Sequence, residues 1–147
     1  MEKNTDRMYI VVREKVAKED LGHAMLAIAH AVGAAFRDWA NDFEFDAWAN
    51  DSFRKCLCLA NEKEWQKLKA LGVEFKEFGS PVKDQGLEMI VMTESALDGE
   101  ETAIVFKPRV EWPKIMRSLR LLNIKSLRLC DLERIQWPKT ELKSPWL

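Results

Sequence analysis

One stretch constrains the fold more than any other. Residues 21–39 read LGHAMLAIAHAVGAAFRDW, and they carry both histidines of the chain, His23 and His30, among eight glycines and alanines: Gly22, Ala24, Ala27, Ala29, Ala31, Gly33, Ala34 and Ala35. Small side chains let other backbone approach a helix closely. A helix apolar nearly all round is a buried one in a soluble protein. Before it, Met8 to Val12 form a continuous, β-branched run, the pattern of a strand covered on both faces. The segment between them, 13–20, is predicted to be a charged loop. Asp20 is predicted to cap the helix, its carboxylate near the free amides of the first turn.

The rest of the chain alternates in kind. Residues 1–7 are polar and expected to fray. A short helix is predicted over 45–50, with Phe43, Phe45 and Trp48 as anchors, and a strand over 53–60. Asn61 with Glu64 three residues on forms a capping box for a helix. The apolar stripe of that helix is Trp65, Leu68 and Leu71, and Gly72 ends it. Strands are predicted over 73–78, 87–92 and 102–106, the last closed by Pro108, with a loop over 79–86 and a turn around Asp98-Gly99. Pro113 opens a further helix, with Ile115, Leu119 and Leu122 inward and Lys114, Arg117 and Arg120 on a basic arc. Residues 126–130 suit a short edge strand. The tail from Trp137 is irregular, with Trp137 and Trp146 to dock it. The pattern predicts a single-domain α/β three-layer sandwich, a mixed sheet of about four to five strands with helices on both faces. Right-handed crossovers would set the alanine-rich helix on the sheet. A chain of 147 residues fits one such domain, with its core over 8–122.

Charge narrows the partners. Twenty-three basic side chains face 24 acidic ones, so the basic excess of a dedicated nucleic-acid binder is missing, and RNA contact must come from a local patch such as Lys114, Arg117 and Arg120. Three cysteines, Cys56, Cys58 and Cys130, do not make a disulfide framework. Cys56 and Cys58 would share one face of a strand as buried thiols. The N-terminus lacks a signal-peptide pattern and its apolar run is too short to span a membrane, which predicts a reduced, cytoplasmic protein with no membrane partner.

The histidines are the leading candidates for chemistry. They stand seven residues apart on one helix face, separated by about 10 Å along the axis, too far to share a metal. His30, among alanines in mid-helix, is expected to be a core histidine. His23, in the first turn, lies where open α/β sheets bind ligands, outside the carboxyl ends of the strands. No nucleophile elbow, phosphate loop or His-Glu-x-x-His motif is present. Asp84, Glu94 and Asp98 sit in loops at strand ends, where a carboxylate could act as a base or orient one.

Taken in order, Val11-Val12-Arg13, Gly22-His23, Ala29-His30-Ala31, Trp48, Lys55 to Ala60, Thr102 to Phe106 with Pro108, and Ser118 to Leu122 resemble the type-2 peptidyl-tRNA hydrolase family. The resemblance spans roughly 8–122 and rests on the joint order of short pieces. It implies a mixed sheet flanked by helices and hydrolysis of the ester that joins a peptide to the 3′ ribose of tRNA, with no cofactor or metal. The family's site is a lysine at the helix start with an aspartate and a threonine after a central strand. Here His23 holds the lysine position and Ala27 that of the following glutamine. The aspartate falls at Asp84 or at Asp98, the latter with Thr102. In the mechanism this implies, His23 activates water, Asp98 or Asp84 orients it, and Thr102 supports the oxyanion. Two rival readings accompany it. One is a non-catalytic member that binds RNA, a ligand or a protein, suggested by the altered site and by the acidic run Asp42, Glu44, Asp46 and Asp51. The other is a homodimerising interaction protein with the tryptophan-bearing tail in its interface.

Overall fold

A computed structural model of the chain describes residues 6–74 and 87–123. The expected loop at 79–86 with Asp84, most of the strand expected at 73–78, the edge strand at 126–130 with Cys130, and the tail from Trp137 lie outside the described residues. Strand β1 (Arg7–Arg13) stands near the middle, and Met8 to Val12 are all buried. Its alternation splits the core. Met8, Ile10 and Val12 face one layer of helices, and Tyr9 and Val11 face the other. Two helices follow, α1 (Glu14–Glu19) and α2 (Leu21–Trp39), separated only by Asp20. Next come α3 (Phe43–Asn50), β2 (Arg54–Ala60), α4 (Glu62–Leu71), β3 (Gly72–Glu74), β4 (Leu87–Glu94), β5 (Glu100–Arg109), α5 (Lys114–Ser118) and the two-residue β6 (Arg120–Leu121).

The strands form one mixed sheet in the order β3-β4-β5-β1-β2-β6. β1 runs parallel to β2 and antiparallel to β5, so the segment holding α1, α2 and α3 is a crossover between neighbouring parallel strands. One layer seats Ala31 and Ala35 of α2, with Phe45 and Trp48 of α3, on Met8, Ile10 and Val105. The other packs Trp65 and Leu68 of α4, with Met116 of α5, on Tyr9, Val11, Cys58, Ile104 and Phe106. The expected α/β sandwich with helices on both faces is therefore present. The sheet has six strands among the described residues, β6 being the addition. β5 runs through Pro108 instead of stopping there. The register against β1 shifts between Arg7 and Tyr9, so the proline falls at an irregularity, where its missing N–H does not break the ladder.

Four expectations are corrected. Residues 14–19 form a helix, not a loop: Val16 and Ala17 are buried, and Glu14 pairs with Lys18 at 2.7 Å and also with Arg120. α2 is not buried all round. Its alanines Ala24, Ala27, Ala31, Ala34 and Ala35 face inward, while Met25, Leu26 and Phe36 are exposed. Phe43 is no anchor, being 86% exposed; Phe45 and Trp48 carry that role. The last helix ends at Ser118, whose hydroxyl bonds back to the Ile115 carbonyl at 2.8 Å, and Leu119 is buried in extended conformation.

The capping box of α4 forms in both directions, Glu64 N to Asn61 Oδ1 at 2.9 Å and Asn61 N to Glu64 Oε1 at 3.0 Å. Gly72 then passes against Met89 so closely that an added Cβ would fall on its thioether and stand 2.6 Å from its Cγ. Gly72→Ala is expected to lose about 1–3 kcal/mol in urea unfolding, with methionine's flexibility keeping the cost from rising further.

A second anchor joins the helix layer to the sheet. Asp42 caps α3 through Phe45 N at 3.1 Å and pairs with Lys107, which also meets Glu88 at 3.1 Å. Burial alone would push the Lys107 ammonium down, but hydrogen bonds and charge from Asp42 and Glu88 hold it above its usual value. Burial opposes the charge on Asp42 too, and its bonds to Lys107 and to backbone amides leave it below the usual carboxylate range. A depressed carboxylate stabilises the fold above its unfolded pKa, and that contribution is lost as pH falls through the folded one. Asp42→Asn keeps a good cap but drops the charge. It is expected to cost about 1–2 kcal/mol at neutral pH. Urea titrations should show the gap between variant and wild type closing below about pH 4.

Candidate functional site

The carboxyl end of β1 gathers charge. Arg13 makes a two-toothed contact with Glu62 at the start of α4, Nη2 to Oε1 at 2.6 Å and Nε to Oε2 at 3.1 Å. Its Nη1 reaches Glu100 at 3.3 Å and the Glu101 carbonyl at 3.4 Å, at the start of β5. Lys15 meets Glu100, and Lys69 meets Glu101 at 2.7 Å. One guanidinium thus ties β1, α4 and β5 together. Hydrogen bonding to Glu62 holds Arg13 above its usual pKa, and the same bond pulls Glu62 below the usual carboxylate range. These charges are committed to one another and make a frame.

At the amino end of α2 stands His23. Asp20 is extended (φ −155°, ψ 101°), as a cap residue must be, and both carboxylate oxygens serve His23. Oδ1 accepts from the His23 backbone N–H at 3.1 Å, and Oδ2 lies 2.7 Å from ring Nδ1. These bonds hold Asp20 below the usual carboxylate range, the backbone bond first and the ring bond second. A carboxylate only accepts, so Nδ1 is the donor in this contact, and in the neutral ring Nε2 is then the nitrogen that holds the lone pair. Among the described residues Nε2 has no hydrogen-bond partner. Gly22 makes room for this arrangement: an added Cβ would stand 3.1 Å from Asp20 Oδ1. A ring fixed at one nitrogen, with no partner at the other among the described residues, has the geometry that a general base requires.

The remaining sequence candidates fall elsewhere. His30 is half exposed, not a core histidine, and its Nε2 lies 3.9 Å from Glu94 on the end of β4. Glu94 caps the short 3₁₀ turn Ser95–Leu97 through Ala96 N at 3.1 Å. Asp98 follows in left-handed conformation (φ 56°), its amide bonded to the Ser95 carbonyl at 3.2 Å. Its role in the β4–β5 turn is conformational, since aspartate tolerates positive φ better than most residues. Thr102 is 1% exposed, and its hydroxyl donates to the Met92 carbonyl at 3.3 Å. No hydrogen bond or ion pair among the described residues joins His23 to Asp98 or Thr102. Asp84 lies outside the described residues.

The basic arc does not form on one helix. Lys114 and Arg117 are exposed on α5, whereas Arg120 belongs to β6 and pairs with Glu14. Cys58 and Cys56 do share a face, as expected, but only Cys58 is buried and Cys56 is partly exposed; burial together with Cys56 pushes the Cys58 thiol up to about 11. It stays protonated and is no nucleophile. Among the described residues no group of three or more His, Cys, Asp and Glu side chains is placed to hold a metal ion, and no helix is long and apolar enough to cross a membrane.

The acid beside His23 is therefore Asp20, which sequence reasoning used only as a cap. Its signal was the spacing, since residues three apart meet on a helix and the cap reaches the first turn. No protein-family model matches the chain, and no curated protein matches it.

Proposed function

We propose that the protein hydrolyses an ester of the kind that joins a peptide to the 3′ ribose of tRNA, with His23 as general base and Asp20 as the residue that orients it. The observation that carries this reading is the 2.7 Å contact of Asp20 Oδ2 with His23 Nδ1, which leaves Nε2 without a hydrogen-bond partner among the described residues, at the end of α2 where Ala24 packs on Val12 and Leu59 near the carboxyl ends of β1 and β2. In the reaction, Nε2 takes a proton from water as the water oxygen attacks the ester carbonyl. The tetrahedral intermediate collapses by breaking its bond to the ribose oxygen, and the imidazolium returns the proton to that leaving oxygen. Asp20 stabilises the imidazolium in between. Exposed Lys114 and Arg117 supply cations for phosphate contacts. The test is hydrolysis of a peptidyl-tRNA by the purified protein. Wild type should release free tRNA and His23→Ala should not. If both leave the ester intact, the hydrolase reading fails.

A specific observation favours a second reading. Thr102 is buried with its hydroxyl engaged, and Asp98, one of the two aspartates that the resemblance offers, makes no hydrogen bond to His23 among the described residues. A family-like scaffold that binds RNA without cleaving it would have this character. A tRNA mobility shift that weakens steeply with added salt, without ester loss, would select it.

A further inference from the structure

Three arginines stand in register across the sheet at the amino end of β1. Arg7 of β1 is paired with Arg54 on parallel β2 and with Arg109 on antiparallel β5. Residues paired in this way share a sheet face. Here it is the face covered by α4 and α5. Arg7 reaches the Tyr9 hydroxyl, and Cys56, two residues after Arg54, packs on the same core as Tyr9. The Arg109 guanidinium lies 6.0 Å from the ring centre of Trp112, which itself packs on Tyr9 and Phe106. Neighbouring strands are about 4.8 Å apart, so the row spans about 10 Å. It lies about 20 Å along β1 from Arg13, at the end away from His23.

Like charges placed directly opposite one another destabilise a sheet, and this row sets Arg7 between two of them. Other strand cations are neutralised: Arg13 by Glu62, Lys107 by Asp42 and Arg120 by Glu14. Among the described residues no carboxylate pairs with Arg7, Arg54 or Arg109. Trp112 steadies Arg109 through its ring and through Nε1–H, which donates to the Arg109 carbonyl at 2.8 Å, but it does not cancel the charge. Arg7 is partly buried, and its Nε is shielded from solvent without a hydrogen-bond partner. A cation drawn partly out of water without a counter-ion is costly. Arg54 and Arg109, on either side of it, are exposed. A local cost of this kind marks a functional surface. The planar fork of a guanidinium fits phosphate and carboxylate oxygens. Three forks in a row exceed the charge and reach of one carboxylate, and linked phosphates match both. We propose that Arg7, Arg54 and Arg109 form a binding site for linked phosphate groups, supplied by a free diphosphate or by the backbone of RNA. The site is separate from His23 and does not depend on ester hydrolysis.

Calorimetric titration of the full chain with sodium pyrophosphate, beside fluorescence anisotropy of a labelled single-stranded RNA, tests it. At least one of the two should bind, and Arg54→Ala and Arg109→Ala should each weaken that binding by about tenfold or more. Arg54→Lys keeps the charge without the fork and should fall between wild type and Arg54→Ala. Arg37→Ala removes an exposed cation of α2 and should leave binding unchanged. Pyrophosphate bound at least as tightly as RNA assigns a free diphosphate, and RNA bound more tightly assigns the backbone. Because the row repels itself, Arg54→Gln should not lower the Tm of the ligand-free protein. The proposal is overturned if neither ligand binds below about 1 mM, if either alanine variant binds as wild type does, or if Arg37→Ala weakens binding as much as they do. It is equally overturned if Arg54→Gln lowers Tm, which would mean that a carboxylate elsewhere in the chain already neutralises the row.

Discussion

His23→Ala is expected to slow peptidyl-tRNA ester hydrolysis by about 10²–10⁴-fold in single turnover, the usual contribution of a positioned general base. The informative companion is Asp20→Asn. Asparagine caps a helix about as well as aspartate, so α2 should keep its start. What changes is the ring. An amide can accept from Nδ1 through its oxygen or donate to it through its nitrogen, and in the second case the proton moves to Nε2 and the base is lost. The imidazolium formed during attack also loses its counter-charge. The rate for Asp20→Asn should therefore fall between wild type and His23→Ala while thermal stability stays near wild type. Asp20→Ala removes the cap as well, and should cost about 1 kcal/mol of stability besides. Should His23→Ala retain a rate within about threefold of wild type, the imidazole has no part in the chemistry, whatever its geometry.

The elements written in long patterns were legible in the sequence. Met8 to Val12 as a doubly covered strand, the ends of α2, the Asn61–Glu64 capping box and the division into two helix layers all follow from periodicity and local cap chemistry. What escaped was short or depended on contacts distant in sequence. α1 has six residues of which only Val16 and Ala17 are buried, too few for a period to rise above its charges, and its tie to Arg120 spans most of the chain. The inward and outward faces of α2 could not be told apart from composition, because both are apolar. Only packing reveals that the alanines face the sheet while Met25 and Phe36 face solvent. At the site, sequence resemblance pointed to Asp98 or Asp84, with Thr102, beside His23; Asp84 lies outside the described residues. The strand ladder takes Thr102 into the core and the turn uses Asp98 for its positive φ, leaving a residue already assigned to capping as the histidine's partner.

The largest loss of stability is expected from Trp48→Ala. A helix that seats mainly alanines on a sheet, with Trp39 at its end and Ile28 and Val32 only partly buried, fills little volume along its middle, so the layer above Met8, Ile10 and Val105 needs bulk from elsewhere. α3 provides it. Trp48 is fully buried, stacks near Phe45 at 5.2 Å and Phe53 at 5.2 Å between ring centres, and its Nε1–H donates to the Arg54 carbonyl at 2.9 Å. Lys55 lies over the same ring. Truncation removes the ring volume, opens a cavity that the small side chains of α2 cannot fill by shifting rotamers, and frees a carbonyl at the start of β2. The cost should be about 3–5 kcal/mol, a large part of the 5–15 kcal/mol that a domain of this size is expected to have. Trp48→Phe separates the terms, since it keeps most of the volume but not the indole N–H; it should lose about 1–2 kcal/mol. Equilibrium urea unfolding of both variants decides the matter. A loss below about 1 kcal/mol for Trp48→Ala would mean that the alanine face of α2 holds the sheet without an aromatic filler, and that the small residues were selected for close approach alone.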